Sequence, residues 1–263
     1  MAIEVAEGQD DFDSLARLAE VAERAMFDFL LMPEGCLTVL AALTGVTDHL
    51  GLVGTADTAS HEPIELSRQV ATLDHLSGGR AGWHIASATD GRAAEFIAVA
   101  RAFWDSWAPD AVVADVGTGI YADPDRISPV DFSGSHFDVH GLATLPAGPQ
   151  GTPVLLHTGG RDFAAEHADV WLTPHPVPGR KPDQLLVFST EPQFAGTANQ
   201  VAAQIDDLVQ SDVCDGFVLS SDGLDDFVDT VVPLLQERGV FRTGYRGRTL
   251  REHLGLSSAR KPA

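Results

Sequence analysis

The chain has 263 residues, of which 44% are hydrophobic and 21% are charged, as in most soluble globular proteins. Its formal net charge of -21 argues against nucleic acid and anionic membranes as partners, since both carry charge of the same sign. Two cysteines exclude a disulfide scaffold and give no metal-ligand spacing. The sequence shows no apolar signal segment and no run near the ~18 apolar residues of a transmembrane helix, so we expect a cytoplasmic protein.

The first part of the chain alternates short apolar runs with amphipathic segments. Apolar residues recur at three- and four-residue steps from Phe12 to Met26, which predicts a helix. Pro63 suits the first turn of another helix, and Gly78 suits its end. The alternation predicts strands at 27–32, 50–55 and 81–87, helices at 12–26, 37–46 and 63–77, and a fourth helix that buries Phe96, Val99, Phe103 and Trp107.

Residues 108–151 interrupt this alternation. They are rich in Gly, Pro and Asp, and we interpret them as a long excursion with one short hairpin. The regular pattern then returns, except that three prolines between residues 174 and 181 leave no room for a helix. It predicts strands at 153–158, 169–173, 184–189 and 215–220, and helices at 162–167, 197–210 and 224–237.

The pattern contains seven good strands, with an eighth if Ile3–Val5 pairs, and almost every strand precedes a helix. Such alternation favours a parallel sheet, and eight strands favour a closed (β/α)8 TIM-type barrel over an open sheet. We see no internal repeat and no linker, so residues 1–263 are expected to form a single domain. In this fold, ligands bind beyond the carboxyl ends of the strands.

The segment from Ala71 to Ser87, ATLDHLSGGRAGWHIAS, resembles the bacterial-luciferase-like flavin monooxygenases. Within that family it is similar to the branch that handles nitrilotriacetate, EDTA and dibenzothiophene sulfone. Further phrases of the same branch follow in the same order. They are FWDSW at 103–107, GSHFDVHG at 134–141, CDGF at 214–217 and GVFRTGY at 239–245.

This resemblance implies a luciferase-like barrel that dimerises and uses reduced FMN, which a separate flavin reductase supplies. Dioxygen and the reduced flavin then oxygenate a small organic substrate, so the cofactor carries the chemistry. Two alternatives stay open. The chain is either a non-catalytic flavin-binding relative or partner subunit of such an enzyme, or an oxidoreductase that uses a deazaflavin, because one fold supports several chemistries.

The chain also departs from the family pattern. It is far shorter, and the usual loops after 27–32 and after Ala86 are missing. A helix between Thr173 and Gln184 and the long insertion between Ser189 and Gly196 are also missing. The resemblance implies that these segments cover the active site, so we expect an open site that excludes water poorly.

The resemblance places four side chains near the flavin. Asp57 lies just beyond strand 50–55, and His84 stands where relatives have Asn; we expect both to be catalytic as well as cofactor-binding. Ser87 and His157, which end their strands, are expected as further flavin contacts. Each has a structural alternative, since Asp57 suits a turn cap and His84 suits a hydrogen-bonded core histidine.

The family's phosphate-binding turn corresponds here to Thr158-Gly-Gly-Arg161. Backbone N–H groups of Gly159 and Gly160 are suited to holding a phosphate, and Arg161 adds a charged donor. An ordinary glycine turn is the alternative interpretation.

Overall fold

A computed structural model describes residues 1–6, 11–86, 88–175, 177, 185–190 and 194–257. Their central feature is a closed barrel of eight parallel strands, so the predicted (β/α)8 fold is confirmed. Along the chain the strands are β1 (Ala2–Glu4), β2 (Phe29–Met32), β3 (Gly51–Thr55), β4 (Ala81–Ile85), β5 (Val112–Asp115), β6 (Ile120–Ala122), β7 (Val130–Ser133), β8 (Asp138–Gly141), β9 (Val154–Thr158), β10 (Val170–Thr173), β11 (Leu186–Ser189) and β12 (Gly216–Ser220).

The barrel consists of β1 to β4 and β9 to β12. Strand β1 closes it, because it pairs in parallel with both β2 and β12. The excursion contributes no barrel strand, and β4 therefore pairs directly with β9. This pairing brings the ends of β3, β4 and β9 together at one part of the rim.

Helices surround the barrel. The helix α3 begins at Pro63 and ends before Gly78, whose φ of 69° is left-handed, as its sequence predicts. The helices are α1 (Phe12–Arg24), α2 (Leu37–Leu43), α3 (Pro63–Ser77), α4 (Gly91–Trp104), α5 (Arg161–His167), α6 (Ala198–Gln210), α7 (Leu224–Thr230), α8 (Val232–Glu237) and α9 (Leu250–His253).

Alternate residues of each strand face either the barrel interior or the helices. Trp83 faces outward, where its ring lies 5.6 Å from that of Phe96 on α4. The neighbouring His84 therefore faces inward. The interior is filled by a separate apolar cluster that includes Phe29, Leu31, Val53, Leu156, Leu172, Phe188 and Val218.

The amino-terminal end of the barrel is closed by α9. Leu250 joins the interior cluster, and Arg251 holds both carboxylate oxygens of Asp169 at 2.7 and 2.8 Å. A single guanidinium nitrogen makes both contacts, so this ion pair ties α9 to the residue just before β10. Because α9 covers the amino-terminal end, the barrel opens to solvent at the carboxyl ends of its strands.

Two features of the excursion differ from the prediction. It contains two antiparallel hairpins, β5–β6 and β7–β8, where we expected one. Trp107 does not belong to the fourth helix, because α4 ends at Trp104. The Trp107 ring instead donates a hydrogen bond to the carbonyl of Ala143 and anchors the end of the excursion.

The last predicted helix is broken in two. α7 ends at Thr230 and α8 starts at Val232, with Pro233 in its first turn. Proline cannot donate the backbone hydrogen bond that a continuous helix needs, which explains the break. The predicted absence of a helix between β10 and β11 falls largely on residues 178–184, which lie outside the described part. Among the described residues, no helix has the length and apolarity needed to span a bilayer.

Candidate functional site

Three polar side chains meet inside the open end of the barrel. His84 on β4 bonds through Nδ1 to the hydroxyl of Thr55 on β3, at 3.0 Å. Its Nε2 bonds to the hydroxyl of Thr158 on β9, at 2.8 Å. The register accounts for this geometry, since His84 lies directly opposite Thr55 and Leu156, and Thr158 is the next inward-facing residue along β9.

The imidazole of His84 is neutral at physiological pH. Its side chain is buried, and this burial lowers the pKa of His84 to about 4, with a smaller contribution from His157. A neutral imidazole donates from one ring nitrogen and accepts at the other. Both nitrogens of His84 already have a threonine partner, so its ring has no spare hydrogen-bonding position for a ligand.

Asp57 caps a turn. Its Oδ1 accepts a 3.0 Å hydrogen bond from the backbone N–H of Ala59, and its carbonyl bonds to His61. This is the arrangement expected of the turn-capping alternative. In the described part of the chain, no hydrogen bond joins the Asp57 carboxylate to His84 or to its threonines. The catalytic roles assigned to Asp57 and His84 therefore remain predictions.

His157 lies next to this cluster but faces the other way. Its ring is fully buried against Phe163 on α5, with 4.9 Å between the ring centroids. Nδ1 lies 3.0 Å from the carbonyl of Ile85, which can only accept, so Nδ1 carries the proton. Nε2 is then a bare acceptor, and it has no partner among the described residues. Burial lowers the pKa of His157, so this acceptor persists at neutral pH.

Gly159 covers the unpartnered nitrogen of His157. A Cβ at Gly159 would stand 2.7 Å from Nε2, closer than such atoms approach. Gly160 has open space around its Cα, and Arg161 is exposed at the start of α5. The turn thus presents backbone N–H groups and one guanidinium beside a buried acceptor. Ser87, the remaining predicted contact, lies outside the described residues.

For three side chains of this rim, the sequence predicted no role. Thr55 and Thr158 resemble ordinary strand formers, and only their position at the end of a strand could have indicated a role. Glu4 shares the inward face of β1 with Ala2, which belongs to the interior cluster. The surrounding rim raises the pKa of Glu4 by burial, although its side chain still reaches solvent.

The donor set suits a ligand with several polar groups. Hydroxyls of Thr55 and Thr158, the backbone N–H groups of Gly159 and Gly160 and the guanidinium of Arg161 could serve a polyol, an amide edge and a phosphate. FMN carries all three groups. The residues present therefore fit an FMN site at the carboxyl ends of β3, β4 and β9.

Comparisons with known proteins support the barrel fold. The profile of the luciferase-like monooxygenase family matches residues 2–184. Dibenzothiophene-sulfone monooxygenase of Rhodococcus erythropolis is 26% identical, over 91% of this chain and 88% of its own. The structure of EDTA monooxygenase from Chelativorans sp. BNC1 superimposes with a TM-score of 0.83 at 21% identity, over 98% of both chains.

A third relative matches without long gaps. It is one of the subunits of pristinamycin IIA synthase from Streptomyces pristinaespiralis, and it is 33% identical over 257 positions, which cover 93% of this chain and 89% of the relative. The alignment with the Rhodococcus enzyme instead spans 401 positions, more than the 263 residues of this chain. The Rhodococcus enzyme thus contains long internal segments that have no counterpart here.

Proposed function

Because the chain belongs to the luciferase-like monooxygenase family, we propose that it is an FMN-dependent monooxygenase of the two-component type. It oxygenates a small organic substrate with dioxygen and with reduced flavin supplied by a separate reductase. The single observation that carries this proposal is the Thr55–His84–Thr158 cluster at the end of the barrel where such folds bind ligands.

In this proposal, each part of the site has one task. Arg161 and the N–H groups of Gly159 and Gly160 hold the phosphate, and the charge of the guanidinium carries most of the attraction. The hydroxyls of Thr55 and Thr158 meet the ring system. When bound, the reduced flavin supplies the electrons that activate dioxygen. The protein binds the flavin and orients it.

Calorimetry under anaerobic conditions tests the first step. Wild-type protein is titrated with FMN, with photoreduced FMN and with riboflavin, which lacks the phosphate. We expect micromolar or tighter binding of the reduced form and weaker binding of riboflavin. Arg161→Gln should weaken FMN binding about tenfold and leave riboflavin unchanged, because one charge-assisted contact is lost. Arg246→Gln, an exposed arginine of the C-terminal part, is the matched control.

Oxygen uptake tests the reaction itself. A flavin reductase supplies reduced FMN, and a panel of small sulfones, aminocarboxylates and alkanes is screened for substrate-dependent oxygen consumption and for oxygenated product. Production of hydrogen peroxide alone with every compound would remove the monooxygenase proposal, even if FMN binds.

A second candidate function has a specific observation in its favour. The relative that matches this chain without long gaps is named as one component of a synthase with more than one kind of subunit, so this chain is a candidate partner subunit that acts beside a longer one. In that case, Asp57→Ala and His84→Ala change stability alone, and neither form of FMN binds. The same calorimetric titration therefore separates the two functions.

Other expectations stay predictions. A deazaflavin-dependent activity predicts that deazaflavin binds and that FMN competes poorly. A homodimer is testable by light scattering of the purified protein. Cytoplasmic location is testable by fractionation of cells that express the chain.

A further inference from the structure

The hydroxyls of Thr55 and Thr158 are linked through one buried ring. His84 is only 7% exposed, whereas both threonines are half-buried and reach the open end of the barrel. In the described part of the chain, each hydroxyl has His84 as its one side-chain hydrogen-bond partner. Each therefore keeps hydrogen-bonding capacity for something that enters the barrel.

The neutral imidazole carries a single N–H proton, so the hydrogen-bonding role of one threonine hydroxyl determines the role of the other. If Nε2 carries the proton, it donates to Thr158, and the Thr158 hydroxyl proton is free to donate to a ligand. Nδ1 then accepts from Thr55, whose remaining lone pairs are free to accept. If Nδ1 carries the proton, the two roles are exchanged. In either tautomer, one hydroxyl presents a donor and the other presents an acceptor.

We propose that His84 is a positioning residue that couples Thr55 and Thr158 into one donor–acceptor pair, and that a bound flavin meets these hydroxyls and not the imidazole. The identity of the ligand rests on the proposed function, whereas the coupling does not. The two hydroxyls suit the edge of a ligand that carries both a hydrogen-bond donor and an acceptor. A change of the His84 tautomer exchanges which hydroxyl donates and which accepts, so the pair can match either order of groups on the ligand.

Nuclear magnetic resonance of 15N-histidine-labelled protein tests the coupling without any ligand. Thr158→Val removes the partner of Nε2, so the proton should lie on Nδ1, from which it donates a hydrogen bond to Thr55. In Thr55→Val the proton should lie on Nε2 for the same reason. Thr152→Val, a buried threonine just before β9, is the control and should leave the tautomer of His84 unchanged. The same tautomer in all four proteins would overturn the coupling.

Calorimetry with photoreduced FMN then tests the ligand. We expect Thr55→Val and Thr158→Val each to weaken binding about tenfold, as for one lost hydrogen bond, with Thr152→Val unchanged. Wild-type affinity in both variants would overturn the role of the hydroxyls. If wild-type protein binds no flavin, the proposed function fails, and the assignment of flavin to this pair fails with it. The tautomer experiment still decides the coupling in that case.

Discussion

Gln150 donates its side-chain amide to Oδ1 of Asp74 over 2.6 Å, although 76 residues separate the two in sequence. Asp74 lies on α3 and is completely buried. Its Oδ2 has no partner among the described residues and faces the backbone of Gly148. The end of the excursion is thus fastened to α3 through a buried carboxylate that is only partly satisfied.

Asp74→Asn is expected to stabilise the protein at neutral pH. Burial raises the pKa of Asp74 to about 6, above its unfolded value of 3.8, despite the hydrogen bond from Gln150. The folded state therefore favours the protonated form, and its stability falls as pH rises from about 4 to about 6, by roughly 3 kcal/mol. The variant is compared with wild type by urea unfolding at each pH, and it should be more stable than wild type at pH 7 but not at pH 4.

The control for this experiment is Glu65→Gln, on an exposed pair with Arg68 of the same helix. This control variant should show nearly the same change in the free energy of unfolding between pH 4 and pH 7 as wild type does. If wild type gained stability relative to Asp74→Asn between pH 4 and pH 6, the raised pKa of Asp74 would be contradicted.

His253→Phe is expected to make the protein more resistant to acid. The His253 ring packs against that of Tyr245 at an angle of 39°, with 4.8 Å between the centroids. Neither of its ring nitrogens has a hydrogen-bond partner among the described residues. Burial, with a smaller contribution from Arg242, lowers the pKa of His253 to about 4. Because the folded-state value lies below the unfolded 6.5, stability is lost as pH falls between these values, by roughly 2–3 kcal/mol.

The measurement is urea unfolding at pH 4.5 and 7.5. His140→Phe, an exposed histidine paired with Asp131, is the control. The titration of Asp74 lowers the stability of the protein as pH rises, which opposes the effect of His253 over part of this range. Each variant is therefore compared with wild type at the same pH. If His253→Phe and wild type lost the same stability in acid, protonation of His253 would not destabilise the folded protein.

Glu23→Gln is expected to lower the free energy of unfolding by about 1–3 kcal/mol. The carboxylate of Glu23 accepts backbone N–H groups of Asp48, His49 and Leu50 at 2.8 to 3.1 Å, and so fixes the start of β3 against α1. Burial raises the pKa of Glu23, but these three hydrogen bonds outweigh it and the net shift is downward. The stabilisation is present above the ordinary value of 4.5 and is lost in acid.

Thermal unfolding at pH 7 measures the effect of this substitution. Glu20→Gln, on an exposed part of the same helix, should change the melting temperature little. Equal melting temperatures for the Glu20 and Glu23 variants would mean that water replaces the three backbone contacts at no cost.

The barrel was predictable because its signals are local. Each strand is a short apolar run, and Pro63 and Gly78 mark a helix by their own backbone preferences. The sequence did not locate the β5–β6 hairpin, because residues 112–121 are all exposed and no buried face imposes an alternating pattern. The break at Val231 was missed although Pro233 gave a sufficient signal.

The site was less predictable, because it depends on pairing between distant segments. His84 and Thr158 are 74 residues apart, and they meet only because β4 pairs with β9 across the whole excursion. No spacing rule connects them. The sequence places His84 within a strand, but whether its ring faces a ligand or two threonines depends on that register.

Gly159→Ala is expected to weaken FMN binding, and Gly160→Ala is its matched control. A Cβ at Gly159 would lie 2.7 Å from Nε2 of His157, so the turn or the ring must move. The φ of 152° at Gly159 is also one that an L side chain rarely adopts. At Gly160 the φ of -64° suits alanine, and no atom lies within 4 Å of the added Cβ.

Calorimetry with photoreduced FMN should show at least a tenfold loss of affinity for Gly159→Ala and near wild-type binding for Gly160→Ala. Thermal unfolding of both variants separates a local change from loss of the fold. Equal affinities for the two variants, with both folded, would mean that FMN does not approach this turn and that His157 has only a packing role.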